Sequence, residues 1–354
     1  MKGIILCGGQ GAGLRPITHT IPKELIPVSN RPVLYYILDS LLKADITEIG
    51  IVISEHEEIF KSYLKEYEKR NLEYEFIYQH QTLGLADTIA ITEDFVQDDD
   101  FIVIIGDNFY ELNLKELIDD FYNSTSNCSI FLHKVEEPES FRIAEVKEKQ
   151  VLSIEDKPKN PKSNLAVTGI YIFDKNIFKG CKEIRPSWTG EYEISDGIKW
   201  LIDNGYKVTY NISRSLWLDL GTPKDILYAN QYILSGIKSN IKGLVNEKSI
   251  ITGNVFLAEN SKIYNSIIRG PVIIGSNTII ENSYIGPYTS IMNNVKIIDC
   301  QIENSIILDK CFITRVMNII DSSIIGENTN IVSQNTCKRA NSFILGNDSN
   351  IILY

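Results

Sequence analysis

Hydrophobic positions in the first two thirds of the chain follow two alternating rhythms. Short β-branched runs give way to stretches in which apolar residues recur at helical spacing, the alternation expected of βαβ units around a largely parallel sheet. Residues 3–6 form the first predicted strand. Asn30 is placed to cap a helix with Pro32 near its first turn, and Leu34, Ile37, Leu38, Leu41 and Leu42 then mark one helical face. Further strands are predicted at 49–54, 76–79, 101–106 and 129–135, a hairpin at 142–147 with 151–154, and a buried strand at 165–173. A helix over 193–204 has Ile194, Ile198 and Leu201 on one side.

Beyond Leu234 the pattern changes. Helical periodicity stops, Asn and Ser become frequent, and Ile267, Ile273, Ile279, Ile285, Ile291 and Ile297 fall every six residues. After an offset, Ile307, Ile313, Ile319, Ile325 and Ile331 repeat the interval, and Leu345 and Ile351 show it again. A period of six suits neither an amphipathic helix nor an alternating strand. It suits a hexapeptide β-helix, whose coils turn three flat faces and stack one apolar side chain per face into a continuous core. Ile285-Gly286-Pro287-Tyr288-Thr289-Ser290 and Ile325-Gly326-Glu327-Asn328-Thr329-Asn330 match the hexapeptide pattern and resemble left-handed β-helix domains. The expected organisation is an α/β domain at 1–235 and a β-helix at 236–354, about six coils long.

Composition narrows the partners. A formal net charge of -11 disfavours nonspecific nucleic-acid binding, so a phosphate ligand needs a local basic pocket. The six cysteines, Cys7, Cys128, Cys181, Cys300, Cys311 and Cys337, have neither metal-ligand spacing nor a compact disulfide framework, and read as free thiols of a reducing cytosol. The N-terminus passes directly into a short apolar strand, without the h-region of a signal peptide or the length of a membrane span. A cytoplasmic protein with no membrane partner is expected.

Candidate chemistry starts where the first strand ends. After Leu6 and Cys7 comes Gly8-Gly9-Gln10-Gly11-Ala12-Gly13-Leu14-Arg15-Pro16, a loop whose bare amides can surround phosphate oxygens, although a tight strand-to-helix turn uses the same residues. Asp107 follows the strand at 101–106, at the carboxyl edge where ligands of open α/β sheets gather. It is a candidate Mg²⁺ ligand, since Mg²⁺ uses few protein carboxylates and keeps phosphate and water oxygens; capping the next helix is its alternative role.

The continuation Pro16-Ile17-Thr18, Pro22-Lys23-Glu24-Leu25-Ile26-Pro27-Val28 and Asn30-Arg31-Pro32 resembles the N-terminal signature of the sugar-1-phosphate nucleotidylyltransferases, most closely the long-type glucose-1-phosphate thymidylyltransferases. The resemblance implies a Rossmann-like α/β domain that binds nucleotide through Leu6, Gly8, Gly9, Gly11, Ala12, Gly13, Gln79, Gly84 and Asp107. Gln79 would read a pyrimidine edge and Gly84 would let the ring approach the backbone. Lys23, with Arg15 nearby, would neutralise the transferred phosphoryl group, and Asp219, in Trp217-Leu218-Asp219, corresponds to a second metal-binding aspartate. Arg142, Asp156, Lys157, Thr168, Gly169 and Glu191 fall on the sugar-phosphate side, with Asp156 accepting hydroxyls and Lys157 pairing with the phosphate.

The implied reaction is in-line displacement: the phosphate of a hexose 1-phosphate attacks the α-phosphorus of dTTP or UTP, Mg²⁺ on Asp107 and Asp219 bridges the nucleotide phosphates, and pyrophosphate leaves. Several positions depart from the family pattern. Gly13 replaces an arginine that touches the triphosphate, Ala12 a threonine, Arg142 a glycine and Leu220 a threonine, while Asp156 shortens a glutamate. These leave a second reading open, a paralogue that binds nucleotide or sugar phosphate in a regulatory or assembly role. The β-helix raises a third, acyl transfer, but His19, His56, His80 and His133 all lie in the first domain, and such enzymes commonly use a histidine base. The tail is therefore read as structural, and a homo-oligomer is expected.

Overall fold

The computed structural model describes all residues except 214, 317, 334–342 and 354. The chain divides into two compact units, each discontinuous in sequence: Met1–Gly9 with Leu34–Asp219, and Gln10–Val33 with Leu220–Tyr354.

In the first unit, β1 (Lys2–Cys7), β2 (Glu48–Ile53), β3 (Glu73–Tyr78), β4 (Phe101–Ile105), β6 (Cys128–Lys134), β7 (Arg142–Lys147), β8 (Gln150–Asp156), β9 (Leu165–Phe173) and β10 (Val208–Ser213) form one nine-stranded sheet in the order β3-β2-β1-β4-β9-β6-β10-β8-β7. Within it β9 and β8 run against the other strands, and the rest point one way. Near-continuous apolar runs mark strands covered on both faces, and every residue of β9 is buried. Two short strands form a separate antiparallel ribbon, β5 (Asn108–Tyr110) against β11 (Trp217–Asp219).

Helix α1 (Val33–Lys43) buries Leu34, Ile37, Leu38 and Leu41, the face that its spacing predicts. Helix α2 (Leu85–Ala90) is short, and α3 (Leu114–Ser124) is capped by Asn113, whose side chain accepts from Lys115 N at 3.2 Å. Asp107 is therefore not the cap of the next helix. The helix predicted at 193–204 forms as α4 (Ile194–Asp203), with Ile194, Ile198 and Leu201 buried.

The strands predicted at 49–54, 76–79, 101–106 and 129–135 all form with shifted ends, and the predicted hairpin is β7 with β8. Asn30 does not cap α1. Ser29 and Asn30, at φ 52° and 59°, are the two central residues of a tight turn joining Pro27–Val28 to Arg31–Pro32. Asparagine tolerates that left-handed backbone, and paired positive φ values suit a two-residue hairpin.

The second unit carries helix α5 (Pro223–Ser235) and the coils. Thr222 caps α5 in a reciprocal box with Asp225, and Pro223 begins the first turn. The chain then winds into three parallel sheets of seven, seven and five strands, the left-handed β-helix. Its core stacks Ile263, Ile280, Ile297, Ile313 and Ile331 along one sheet and Ile268, Ile285, Ile302 and Ile320 along another.

The strict interval of six needs correction. Ile268, Ile274 and Ile280 are fully buried, whereas Ile267 is 46% exposed and Ile273 and Ile279 are half-buried. Ile268 pairs with Ile285 and Ile263 with Ile280, so a coil here advances by seventeen residues, and a fixed step of six slips off the core. Ile285, Ile291 and Ile297 are buried because a shorter step, from Ile280 to Ile285, resets the phase. The polar residues have their own places. Asn265, Asn282, Asn294 and Asn304 turn corners at positive φ. Each of Ser249, Ser266 and Ser283 accepts, at its hydroxyl, the backbone N–H of the matching residue one coil on, Ser266, Ser283 and Cys300. Cys7, Cys128, Cys181, Cys300 and Cys311 are buried and form no disulfide, and burial pushes Cys300 up to about 11; Cys337 lies outside the described residues. Among the described residues no helix is long and apolar enough to cross a membrane.

Candidate active site

Within the first unit, its share of the predicted nucleotide residues gathers at the carboxyl ends of β1, β3 and β4. Leu6 is buried in register with Val52 and Ile105, and Gly8 and Gly9 follow the end of β1. Gln79, just past β3, is 6% exposed, and its Nε2 donates to Thr88 Oγ1 at 2.6 Å. A Cβ on Gly8 would stand 2.5 Å from the Gln79 Oε1. Glycine at position 8 thus makes room for the Gln79 amide. The sequence pattern does not single out Thr88; its signal is the spacing of four from Gly84, whose carbonyl it also engages at 3.0 Å.

Gly84 has φ 113° and stands at the start of α2. A Cβ there would come within 2.6 Å of the Tyr192 backbone, which exchanges hydrogen bonds with Leu83 and Ala86. The close approach that this glycine permits is that of the Tyr192 main chain.

The β5–β11 ribbon relates Asp219 to Asp107 through its register. Asp219 is the register partner of Asn108, the residue after Asp107. The buried Asn108 amide donates to Asp107 Oδ1 at 3.1 Å, and its oxygen accepts from Trp217 Nε1 at 2.6 Å, so one side chain orients the carboxylate and satisfies a buried indole. Neither Asn108 nor Trp217 is among the predicted site residues. Among the described residues no group of three or more His, Cys, Asp or Glu side chains is placed to hold an ion. Two carboxylates at one end of a ribbon fit Mg²⁺, which is bound by one or two carboxylates with phosphate and water.

The predicted sugar-side residues also lie in the first unit. Thr168 and Gly169 sit where the β9–β6 ladder loses register between Val167 and Tyr171. Gly169 has φ 76° there, and the Thr168 hydroxyl donates to the Phe131 carbonyl at 3.1 Å. Arg142 begins β7 opposite Asp156 in β8. Its Nη2 donates to Glu193 Oε2 at 3.1 Å and its Nε lies 3.5 Å from Asp156 Oδ1. Burial opposes the charge of this guanidinium, but Tyr171, Asp156 and Glu193 outweigh it and hold Arg142 above its usual range. Burial pushes the Glu193 carboxyl up. Glu193 is a further residue that the sequence pattern passes over, two positions beyond the predicted Glu191. Lys157 follows Asp156 at φ 43°, its N–H bound to the Phe141 carbonyl at 3.0 Å, and Glu191 is exposed with its carbonyl accepting from Ser187 N.

The second unit holds the rest of the glycine loop. Gly11, at φ 60°, precedes a short 3₁₀ turn over Ala12–Leu14, and Thr18 Oγ1 donates to the Gly11 carbonyl at 2.7 Å. The Lys23 β-carbon lies 3.4 Å from where a Gly11 Cβ would be, so the lysine arises beside the loop. A Cβ on Gly13 would meet the Gly221 carbonyl oxygen at 2.5 Å. Arg15 is exposed in extended backbone at the end of the turn.

Comparison with known proteins matches residues 2–236 to the nucleotidyl transferase family. A glucose-1-phosphate thymidylyltransferase of Streptomyces griseus is 37% identical over 350 residues, 99% of this chain and 98% of that protein. The low-salt glycan biosynthesis nucleotidyltransferase Agl11 of Haloferax volcanii is 41% identical over 338 residues, 94% of each. A crystal structure from Bacillus anthracis, assigned as a glucose-1-phosphate thymidylyltransferase in complex with a sucrose, superposes with a TM-score of 0.62 at 36% identity, covering 68% of this chain and 97% of that one.

Proposed function

The chain belongs to the nucleotidyl transferase family, and we propose that it transfers a thymidylyl group from dTTP to glucose 1-phosphate, with UTP as the competing donor. It is a nucleotidyltransferase; the choice of thymidine and glucose rests on the Streptomyces griseus relative, which matches almost end to end. The observation that supports the reading is the β5–β11 register, which pairs Asp219 with Asn108, the residue after Asp107.

Mg²⁺ held by Asp107 and Asp219 would supply charge neutralisation at the nucleotide phosphates. The chain's own residues do the remaining work. Gln79, held by Thr88, presents an amide for a pyrimidine edge, and the loop amides of Gly8, Gly9, Gly11, Ala12 and Gly13 receive phosphate oxygens. Lys23 and Arg15 offset charge at the α-phosphoryl group, and Lys157 holds the phosphate of the sugar. Asp156, Thr168, Gly169 and Glu191 face sugar hydroxyls, with Arg142 braced by Glu193 and Asp156. No covalent intermediate is required, so positioning and charge neutralisation supply the rate. The same reading gives a cytoplasmic homo-oligomer whose coil sequence starts near residue 235.

Pyrophosphate release from dTTP and UTP, with glucose 1-phosphate and Mg²⁺, tests it. The native chain should turn over with dTTP preferred, and Lys23→Ala or Asp219→Asn should lower kcat by about a hundredfold or more. Absence of pyrophosphate with every nucleoside triphosphate and sugar 1-phosphate tried would end the enzymatic reading.

A further inference from the structure

We propose that Asn230 is a positioning residue through which the β-helix sets the backbone of the Lys23 segment. The inference rests on the catalytic role proposed above for Lys23.

Asn230 lies on α5 and is wholly buried. Its side-chain oxygen accepts two hydrogen bonds, from Ser29 N at 2.8 Å and from Ser290 Oγ at 2.6 Å. Its amide nitrogen donates to the Tyr288 carbonyl at 3.0 Å. One amide thus ties three pieces of the second unit: the helix, the hairpin turn of the signature segment and a β-helix coil. The adjoining Asn30 donates to the Ile291 carbonyl of the same coil at 2.6 Å. At its other end the segment meets a later coil, where a Cβ on Gly346 would stand 3.1 Å from the Pro16 carbonyl oxygen.

Lys23 sits between these two moorings. The Ile26 N–H bonds to the Lys23 carbonyl at 3.2 Å, and Val33 N returns to the Ile26 carbonyl at 3.3 Å, so the hairpin held at Ser29 is continuous with the turn that carries the lysine. A lysine on a short turn depends on the surrounding backbone for its placement more than one on a long helix or strand. Buried amides that bond to both the turn and the coil restrict such a turn, because a shift would break those bonds inside the core. The β-helix is then the back wall of a catalytic segment as well as a stack of coils.

The test uses the full-length chain, with Asn230→Ala, Ser290→Ala and a control, Ser283→Ala, which removes a buried hydroxyl from the serine stack at another corner. Amide hydrogen exchange over 22–33 and steady-state kinetics are read together. Both test variants should exchange at least tenfold faster in that segment, with kcat lowered fivefold or more and KM for both substrates within twofold of native; Ser283→Ala should change neither. Should Asn230→Ala fail to fold, Ser290→Ala carries the test alone. Unchanged exchange over 22–33 in a folded test variant overturns the inference, as does faster exchange with native kcat. If the native chain shows no turnover, the catalytic reading fails and takes the positioning role with it, while the exchange result then reports only the mooring.

Discussion

Gly13 is bounded by main chain: the Gly221 carbonyl oxygen occupies the space of its β-carbon, at 2.5 Å. The loop and the segment after Leu220 are packed backbone to backbone, so the arginine usual at this position in the family requires one of them to move. Gly13→Arg should therefore not restore a phosphate contact. Expected instead is a loss of about 1–3 kcal/mol in urea denaturation with no gain in kcat, since overpacking against backbone has no flexible neighbour to yield. A variant as stable as the native chain and faster in pyrophosphate release would refute this account. Gly8 has the same kind of explanation, through the Gln79 amide. In the sequence both glycines are only members of a glycine-rich run, because the atoms that exclude a side chain come from residues far along the chain. Asp107 is easier to read, since it lies just past a strand whose apolar run marks its end, whereas Gln79, a polar residue at a strand end, comes from resemblance.

The strands of the first unit are readable because nearly continuous apolar runs have few other interpretations. The β5–β11 ribbon is not. Three residues on each side are too short for a periodic signal, and their pairing joins positions more than a hundred residues apart. That is why Asp219 comes from resemblance alone, and why Asn108 and Trp217 escape notice. The Asn108 amide makes a specific prediction. Asn108→Ala removes the donor to Asp107 and strands the Trp217 indole N–H, which should cost about 1–3 kcal/mol of stability. Loss of an oriented carboxylate should also raise the Mg²⁺ concentration for half-maximal activity by roughly tenfold or more. Titration of pyrophosphate release with MgCl₂ separates the two effects, because a stability loss alone leaves the metal requirement unchanged. The misplaced helix cap at Asn30 has a related origin. Asparagine before a helical pattern suits a cap, but it equally suits a left-handed turn, and distant partners make the choice: Ile291 for Asn30 and Asn230 for Ser29.

The compact units are not successive stretches of chain, since Gln10–Val33 belongs with the coils. A texture change near residue 235 shows where coil sequence starts and is silent on which earlier segment packs with it. The β-helix is legible from its recurring isoleucines, but its phase is not. A count of six from Ile267 passes through Ile273 and Ile279, and all three stand beside the core, because coils of seventeen residues shorten one step in three. Adjacent isoleucines at 273 and 274 turn this into an experiment within one strand. Ile274 is fully buried and Ile273 half-buried, with the backbone common to both. Ile274→Ala should cost about 2–5 kcal/mol through lost burial and a residual cavity, and Ile273→Ala about 1 kcal/mol or less. Urea midpoints of the two variants measure the difference. Equal losses, or a larger one at Ile273, would mean that the stack follows the sixfold count after all and that the core ladder assigned to Ile268, Ile274 and Ile280 is displaced by one residue.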